Sequence, residues 1–116
     1  ENAVRGRIAS IYEEHIDNPR VTKPLYTADG TMVWHQYIVR VADRDAFRRH
    51  MEENGGETAV HYATPPHLQP CYERYAGLWL PVTERISREV VSLPITRCTS
   101  PEDAHEIAAI INRYKG

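Results

Sequence analysis

The sequence predicts an α+β domain: a small antiparallel or mixed sheet of about three strands covered by helices. Two observations carry this reading. Apolar stripes at helical spacing recur along the chain, while strand-like alternation is confined to a few short runs. The two kinds of segment are also mixed in order rather than grouped. At 116 residues, 41% hydrophobic and 26% charged, the chain fits one domain, 1–116, with one core.

The first element is a helix. Val4, Ile8, Ile11, Tyr12, His15 and Ile16 share a stripe, Arg5, Arg7, Glu13 and Glu14 lie outside it, and Asp17-Asn18-Pro19 ends it. The stripe exceeds what a terminal helix on a small domain needs, so exposed apolar surface is expected along it. Residues 20–26 read as a short strand, and Asp29-Gly30 as a turn. Met32 to Val41 is the clearest strand, with Val33, His35, Tyr37, Val39 and Val41 on one face. Asp43 caps a helix through Asn54, carrying Phe47 and Met51 inward, and Gly55-Gly56 closes it. Thr58 to Tyr62 reads as a second strand.

Past the loop that follows, Pro70 opens a short helix holding Tyr72 and Tyr75, and Gly77 ends it. Pro81 opens the next, with Val82, Ile86 and Val90 at four-residue spacing and Glu84–Arg88 and Arg85–Glu89 pairs outside. Residues 92–95 read as a third strand. In the last helix Ser100 is the cap, Pro101 takes the first position and Asp103 completes a capping box. Ala104, Ile107, Ala108, Ile111 and Tyr114 form its buried stripe.

Composition removes several classes. Fourteen basic and sixteen acidic residues leave a net charge of −2 with no basic stripe, which argues against nucleic acid. No apolar run approaches the length of a membrane span, and the N-terminus lacks a signal-peptide pattern. Cys71 and Cys98 have no Cys-x-x-Cys spacing; two free thiols in a reducing compartment is the default, with a structural pair as the alternative. The chain reads as cytoplasmic.

The most informative stretch is His61-Tyr62-Ala63-Thr64-Pro65-Pro66-His67-Leu68-Gln69-Pro70-Cys71-Tyr72. Its prolines exclude regular helix or a central strand and hold the backbone extended and stiff. It reads as a recognition loop presenting imidazole and phenol groups, with Pro65-Pro66 projecting His67 beyond the sheet edge. His61 and His67 lack the further ligands that zinc needs, so no metal site is read. Cys71 beside them has no identifiable orienting partner for a thiol nucleophile. His35 reads as a hydrogen-bonded core or sheet-face residue, His15, His50 and His105 as surface residues, and Tyr72, Tyr75 and Tyr114 as packing residues.

His61-Tyr62, then Pro66-His67-Leu68-Gln69-Pro70 and Tyr72, resembles a run near the C-terminus of DegT/StrS-type sugar aminotransferases. The likeness continues through Leu80-Pro81-Val82, Glu84, Ser87 and Val90 to Ser92-Leu93-Pro94. Upstream, Trp34-His35-Gln36-Tyr37 with Val39-Arg40-Val41 is similar to the first strand of that family's small domain, and Arg5 to Tyr12 to the end of its interdomain helix. The resemblance covers nearly the whole chain in one order, departing at Gly56-Glu57. It implies that 1–17 ends an interdomain helix and that 18–116 is the small C-terminal domain of a fold-type I PLP-dependent transferase.

The same resemblance implies pyridoxal phosphate (PLP) in the intact enzyme, bound by a large domain absent from this chain, and a nucleotide-linked keto sugar as substrate. It also implies a homodimer when intact. The family's catalytic lysine has no match here: the only lysines are Lys23 and Lys115, so neither activity nor PLP is expected of this chain alone. His61, Tyr62 and His67 match the loop that borders the sugar pocket, and at least one imidazole is expected to be accessible. Two alternatives stay open: the small domain of a PLP-dependent sugar dehydratase, and a freestanding non-catalytic binding module.

Overall fold

The computed structural model describes residues 1–25, 30 and 32–116. The element order is α1 (Asn2–His15), β1 (Val21–Thr22), β2 (Tyr37–Val41), α2 (Arg44–Glu53), two 3-10 turns (Pro66–Leu68 and Pro70–Tyr75), α3 (Pro81–Glu89), β3 (Val90–Leu93) and α4 (Pro101–Asn112). The strands form one antiparallel sheet in the order β1-β2-β3, as the α+β reading requires. Val21 pairs with Val41, and Tyr37 with Leu93.

Alternation along β2 turns Tyr37, Val39 and Val41 into the core, where they meet Phe47 and Met51 of α2 and the stripe of α4. The predicted α4 stripe is buried in full, and the Ser100–Asp103 capping box is formed on both sides. Asp43 accepts from the Ala46 N–H at the start of α2. At its end Gly55 takes φ +85°, so that Gly56 and Gly55 donate to the Met51 and Glu52 carbonyls, a Schellman closure that favours glycine.

Several expectations need correction. β2 begins only at Tyr37: in this register Gln36 faces Pro94, which has no N–H to extend the ladder. His35 therefore sits at an exposed bend, not in the sheet. β3 lies at 90–93 rather than 92–95. The predicted strand at 58–62 reduces to one bridge, Ala59 with Ser92. Tyr26 of the first predicted strand and Asp29 of the predicted turn lie outside the described residues.

The first helix differs in part from expectation: Val4 is exposed, but the rest of the stripe is largely covered. Ile8, Tyr12 and Ile16 are fully packed, because α1 lies against α4 and the two stripes cover each other. Their C-terminal ends are stitched together by side chains. Asn18, buried, donates from Nδ2 to the Ile111 and Tyr114 carbonyls, both at 2.8 Å. Asn112 returns the contact, donating to the His15 carbonyl at 2.7 Å and accepting from the Asp17 N–H at 2.7 Å. Among the described residues no helix is long and apolar enough to cross a membrane.

Candidate functional site

Where α1, the segment entering β2, the end of β3 and residues 57–61 meet, a cavity of about 420 Å³ is lined by Arg5, His35, Glu57, His61, Ser92 and Pro94, among others. Arg5 holds its walls together. Its Nη1 donates to the carbonyls of Trp34 (3.2 Å), His35 (3.0 Å) and Ile95 (3.1 Å), while Nη2 pairs with Glu1 at 2.9 Å. One guanidinium thus joins a helix to two segments far away in sequence.

His61 is the loop residue that this cavity takes up. Its Nδ1 is hydrogen-bonded to Ser92 Oγ at 2.8 Å, and Ser92 is itself fixed by the ladder to β2 and by both backbone bonds to Ala59. That anchoring fixes the plane of the imidazole and leaves Nε2 as the ring atom with no hydrogen bond among the described residues. Tyr62 follows at the surface, 71% exposed, with its ring edge-on to His61 at 5.3 Å. His61 presents an imidazole at the cavity and Tyr62, next in sequence, a phenol at the surface, groups suited to hydrogen-bonding a polyhydroxylated ligand.

His67 does not join them. The Pro66–Leu68 turn folds its ring inward instead of projecting it, leaving 5% exposed. Its Nε2 lies 3.6 Å from Glu84 Oε2, and among the described residues neither ring nitrogen has a hydrogen-bond partner. Glu84 in turn accepts from the Leu80 N–H at 2.9 Å, closing the start of α3 rather than pairing with Arg88. A carboxylate there also opposes the positive end of the helix dipole. Arg85–Glu89, the other expected pair, forms at 3.9 Å.

Other candidates resolve differently. His50 is half-buried, with Nε2 donating to the Ile110 carbonyl at 2.7 Å, whereas a surface position was expected. His15 and His105 are exposed, with rings 4.6 Å apart. Tyr114 packs in the core, but Tyr72 and Tyr75 are exposed. Cys71 and Cys98 are both free and exposed. Among the described residues no group of three histidines, cysteines or carboxylates is placed to hold a metal. A larger groove of about 590 Å³ runs along α2 past Asp45, Arg48, Arg49 and Glu52. It takes in none of the loop residues, and Arg48 is spent there on Thr58, so the smaller cavity is the better candidate.

Sequence reasoning missed Arg5 and Ser92. Arg5 was legible only as a polar residue off the α1 stripe, and nothing local announces that a strand serine faces a loop histidine. Lys23 Nζ donates to the Glu13 and Ile16 carbonyls at 2.8 and 3.0 Å, capping the end of α1, and Lys115 lies exposed beyond α4.

An α+β unit of this design, with a three-stranded antiparallel sheet under helices, is a domain found in sugar aminotransferases of PLP fold type I. The structure superposes on S. venezuelae DesV with a TM-score of 0.90 and 32% identity, over 96% of this chain and 31% of that one. A Brucella abortus DegT/DnrJ/EryC1/StrS aminotransferase gives 0.83 and 31%, over 96% and 30%. In sequence, the dTDP-3-amino-3,6-dideoxy-alpha-D-galactopyranose transaminase of Aneurinibacillus thermoaerophilus is 40% identical over 114 residues, 98% of this chain and 31% of that protein. The sequence model of the DegT/DnrJ/EryC1/StrS aminotransferase family matches residues 1–112, and the chain belongs to that family. It spans about three tenths of the length of these relatives, and the family implies PLP in the intact enzyme.

Proposed function

We propose that this chain is the substrate-side C-terminal domain of a PLP-dependent sugar aminotransferase, working with a large domain that carries the cofactor and its lysine. The observation that carries the reading is one collinear match, in sequence and in fold, to transaminases of nucleotide-linked sugars. Bound PLP supplies the electron sink for amino transfer. The residues of this chain act on the sugar side. His61, oriented by Ser92, offers Nε2 to a sugar hydroxyl or phosphate oxygen, and Tyr62 adds a phenolic donor at the rim. His67 acts from beneath, as a positioning residue that shapes the loop against Glu84. The substrate class follows the relatives: a nucleotide-linked keto sugar.

The test is kinetic and uses the intact polypeptide. His61→Ala is expected to lower kcat/KM for the keto sugar about tenfold, as loss of one polar contact in a site does, with the PLP absorbance unchanged. Ser92→Ala should reproduce part of that loss while leaving the backbone ladder in place. Unaltered kcat/KM in both His61→Ala and His67→Ala, with stability reduced instead, means that these histidines are structural and that the site assignment is wrong.

A further inference from the structure

The hydrogen on the Ser92 hydroxyl decides what His61 can offer a ligand. Ser92 is 7% exposed, and among the described residues its Oγ has one partner, His61 Nδ1 at 2.8 Å. A hydroxyl carries a single hydrogen, and a neutral imidazole carries one on either nitrogen. If Nδ1 held the ring hydrogen it would donate to Ser92 Oγ, and the buried hydroxyl hydrogen would be left without an acceptor. If Nδ1 is bare, the hydroxyl donates to it and no buried donor is stranded, which is the less costly arrangement. The ring hydrogen then sits on Nε2, because the partner of one imidazole nitrogen sets the state of the other. The serine backbone is held on both sides: it pairs with Ile38 in the ladder, and its N–H and carbonyl bond Ala59 at 2.8 and 3.2 Å.

Charge around the cavity selects the acceptor. Of the residues lining it, Arg5 and Glu57 carry formal charge. Arg5 is already committed, with Nη1 on three carbonyls and Nε and Nη2 on Glu1 Oε1 at 3.3 and 2.9 Å. Glu57 enters no ion pair among the described residues, so the charge it brings is negative and uncompensated. A diphosphate calls for free guanidinium or ammonium groups, and these walls supply none. A sugar hydroxyl or carbonyl oxygen needs only a neutral donor such as an imidazole N–H. We infer that Ser92 fixes His61 as the Nε2–H tautomer, and that this N–H donates to a neutral oxygen of the sugar rather than to the diphosphate. This rests on the sugar-side reading above and deepens it, with Ser92 as a positioning residue and His61 as the group that touches substrate.

NMR of the intact polypeptide, isotope-labelled at the histidine nitrogens, tests both halves. Couplings from the ring hydrogens distinguish a bare nitrogen from a protonated one, and His61→Gln identifies the signal by removing it. The parent protein should show a bare Nδ1 and a protonated Nε2. Ser92→Ala should move His61 toward the averaged pattern of an unconstrained imidazole, and Ser92→Thr, which keeps a hydroxyl at a strand position, should restore it. With the keto sugar bound and no amino donor present, the His61 resonances should shift. With the matching nucleoside diphosphate alone, at a concentration that competes with substrate, they should stay in place. His61→Gln keeps a side-chain N–H and should retain at least about a third of kcat/KM, against the roughly tenfold loss in His61→Ala. A protonated Nδ1, a tautomer unchanged in Ser92→Ala, or an equal shift with the nucleoside diphosphate overturns the inference, while continued amino transfer to sugar leaves the aminotransferase reading standing. No shift with either ligand overturns the assignment of His61 to the sugar. A polypeptide that aminates no sugar overturns the aminotransferase reading, whichever tautomer is found.

Discussion

Arg5→Ala tests whether the candidate site is built by the contacts assigned to it. The side chain is 17% exposed, and its Nη1 faces three carbonyls, those of Trp34, His35 and Ile95. Nη1 carries only two hydrogens, so three acceptors share them and their contributions do not add. A hydrogen bond to a charged group contributes about 1.5–3 kcal/mol, and a carbonyl stranded by its loss costs a similar amount where water cannot reach it. The Glu1 pair is half-exposed and adds little, about 0.5 kcal/mol at most. The expected loss is about 2–3 kcal/mol, or roughly 10 °C in Tm for a domain of this size.

Urea unfolding followed by tryptophan fluorescence measures this directly, because Trp34 is one of the residues held. Arg5→Lys should recover less than half of the loss: an ammonium lacks the planar fork that reaches two segments at once. Glu1→Ala should lie within about 0.5 kcal/mol of the parent. If Arg5→Ala also stays within that margin, water satisfies the three carbonyls, Arg5 is a surface residue, and the account of the cavity walls fails.

Three further outcomes follow from the packing. Asn18→Ala strands the Ile111 and Tyr114 carbonyls and the Arg20 N–H that its side chain satisfies, and should cost about 2–4 kcal/mol in urea unfolding; a change under about 0.5 kcal/mol refutes it. Burial first, and the Asp103 charge second, push the Tyr12 hydroxyl well above its ordinary value of 10.0. Its contribution is then intact below pH 10.0 and is lost as pH rises, because the unfolded chain ionises there and the folded one does not; Tyr12→Phe should flatten this alkaline loss, and an unchanged slope contradicts it. Treated with PLP and then borohydride, the 116-residue chain should gain no stoichiometric adduct at Lys23, whose ammonium caps α1, and a single specific adduct found by mass spectrometry reverses that expectation.

The elements readable from sequence are those that punctuate themselves. Ser100-Pro101 with Asp103 specifies the start of α4 within a few residues, Asp43 and Gly55 bracket α2, and Pro81 opens α3. Each signal acts through backbone groups one turn away. Strand limits are different, since a strand ends where its partner stops bonding: the alternation read from Met32 holds only from Tyr37, with Val33 and His35 exposed, and Pro94 just past β3 sets where β2 begins. The expected exposure of α1 holds at Val4, 41% exposed, and fails at Ile8 and Ile16 for a similar reason. Nothing within residues 1–17 reveals that α4 brings a matching stripe.

The candidate site follows the same division. The resemblance drew attention to His61, Tyr62 and His67 as one loop, whereas the fold separates them according to what each ring meets. Ser92 holds His61 at the cavity, and the Pro66–Leu68 turn buries His67 at Glu84. Both partners lie in or beside the α3–β3 segment, at Glu84 and Ser92. That segment therefore supports the loop from two points, Ser92 at the proposed sugar site and Glu84 at the buried His67.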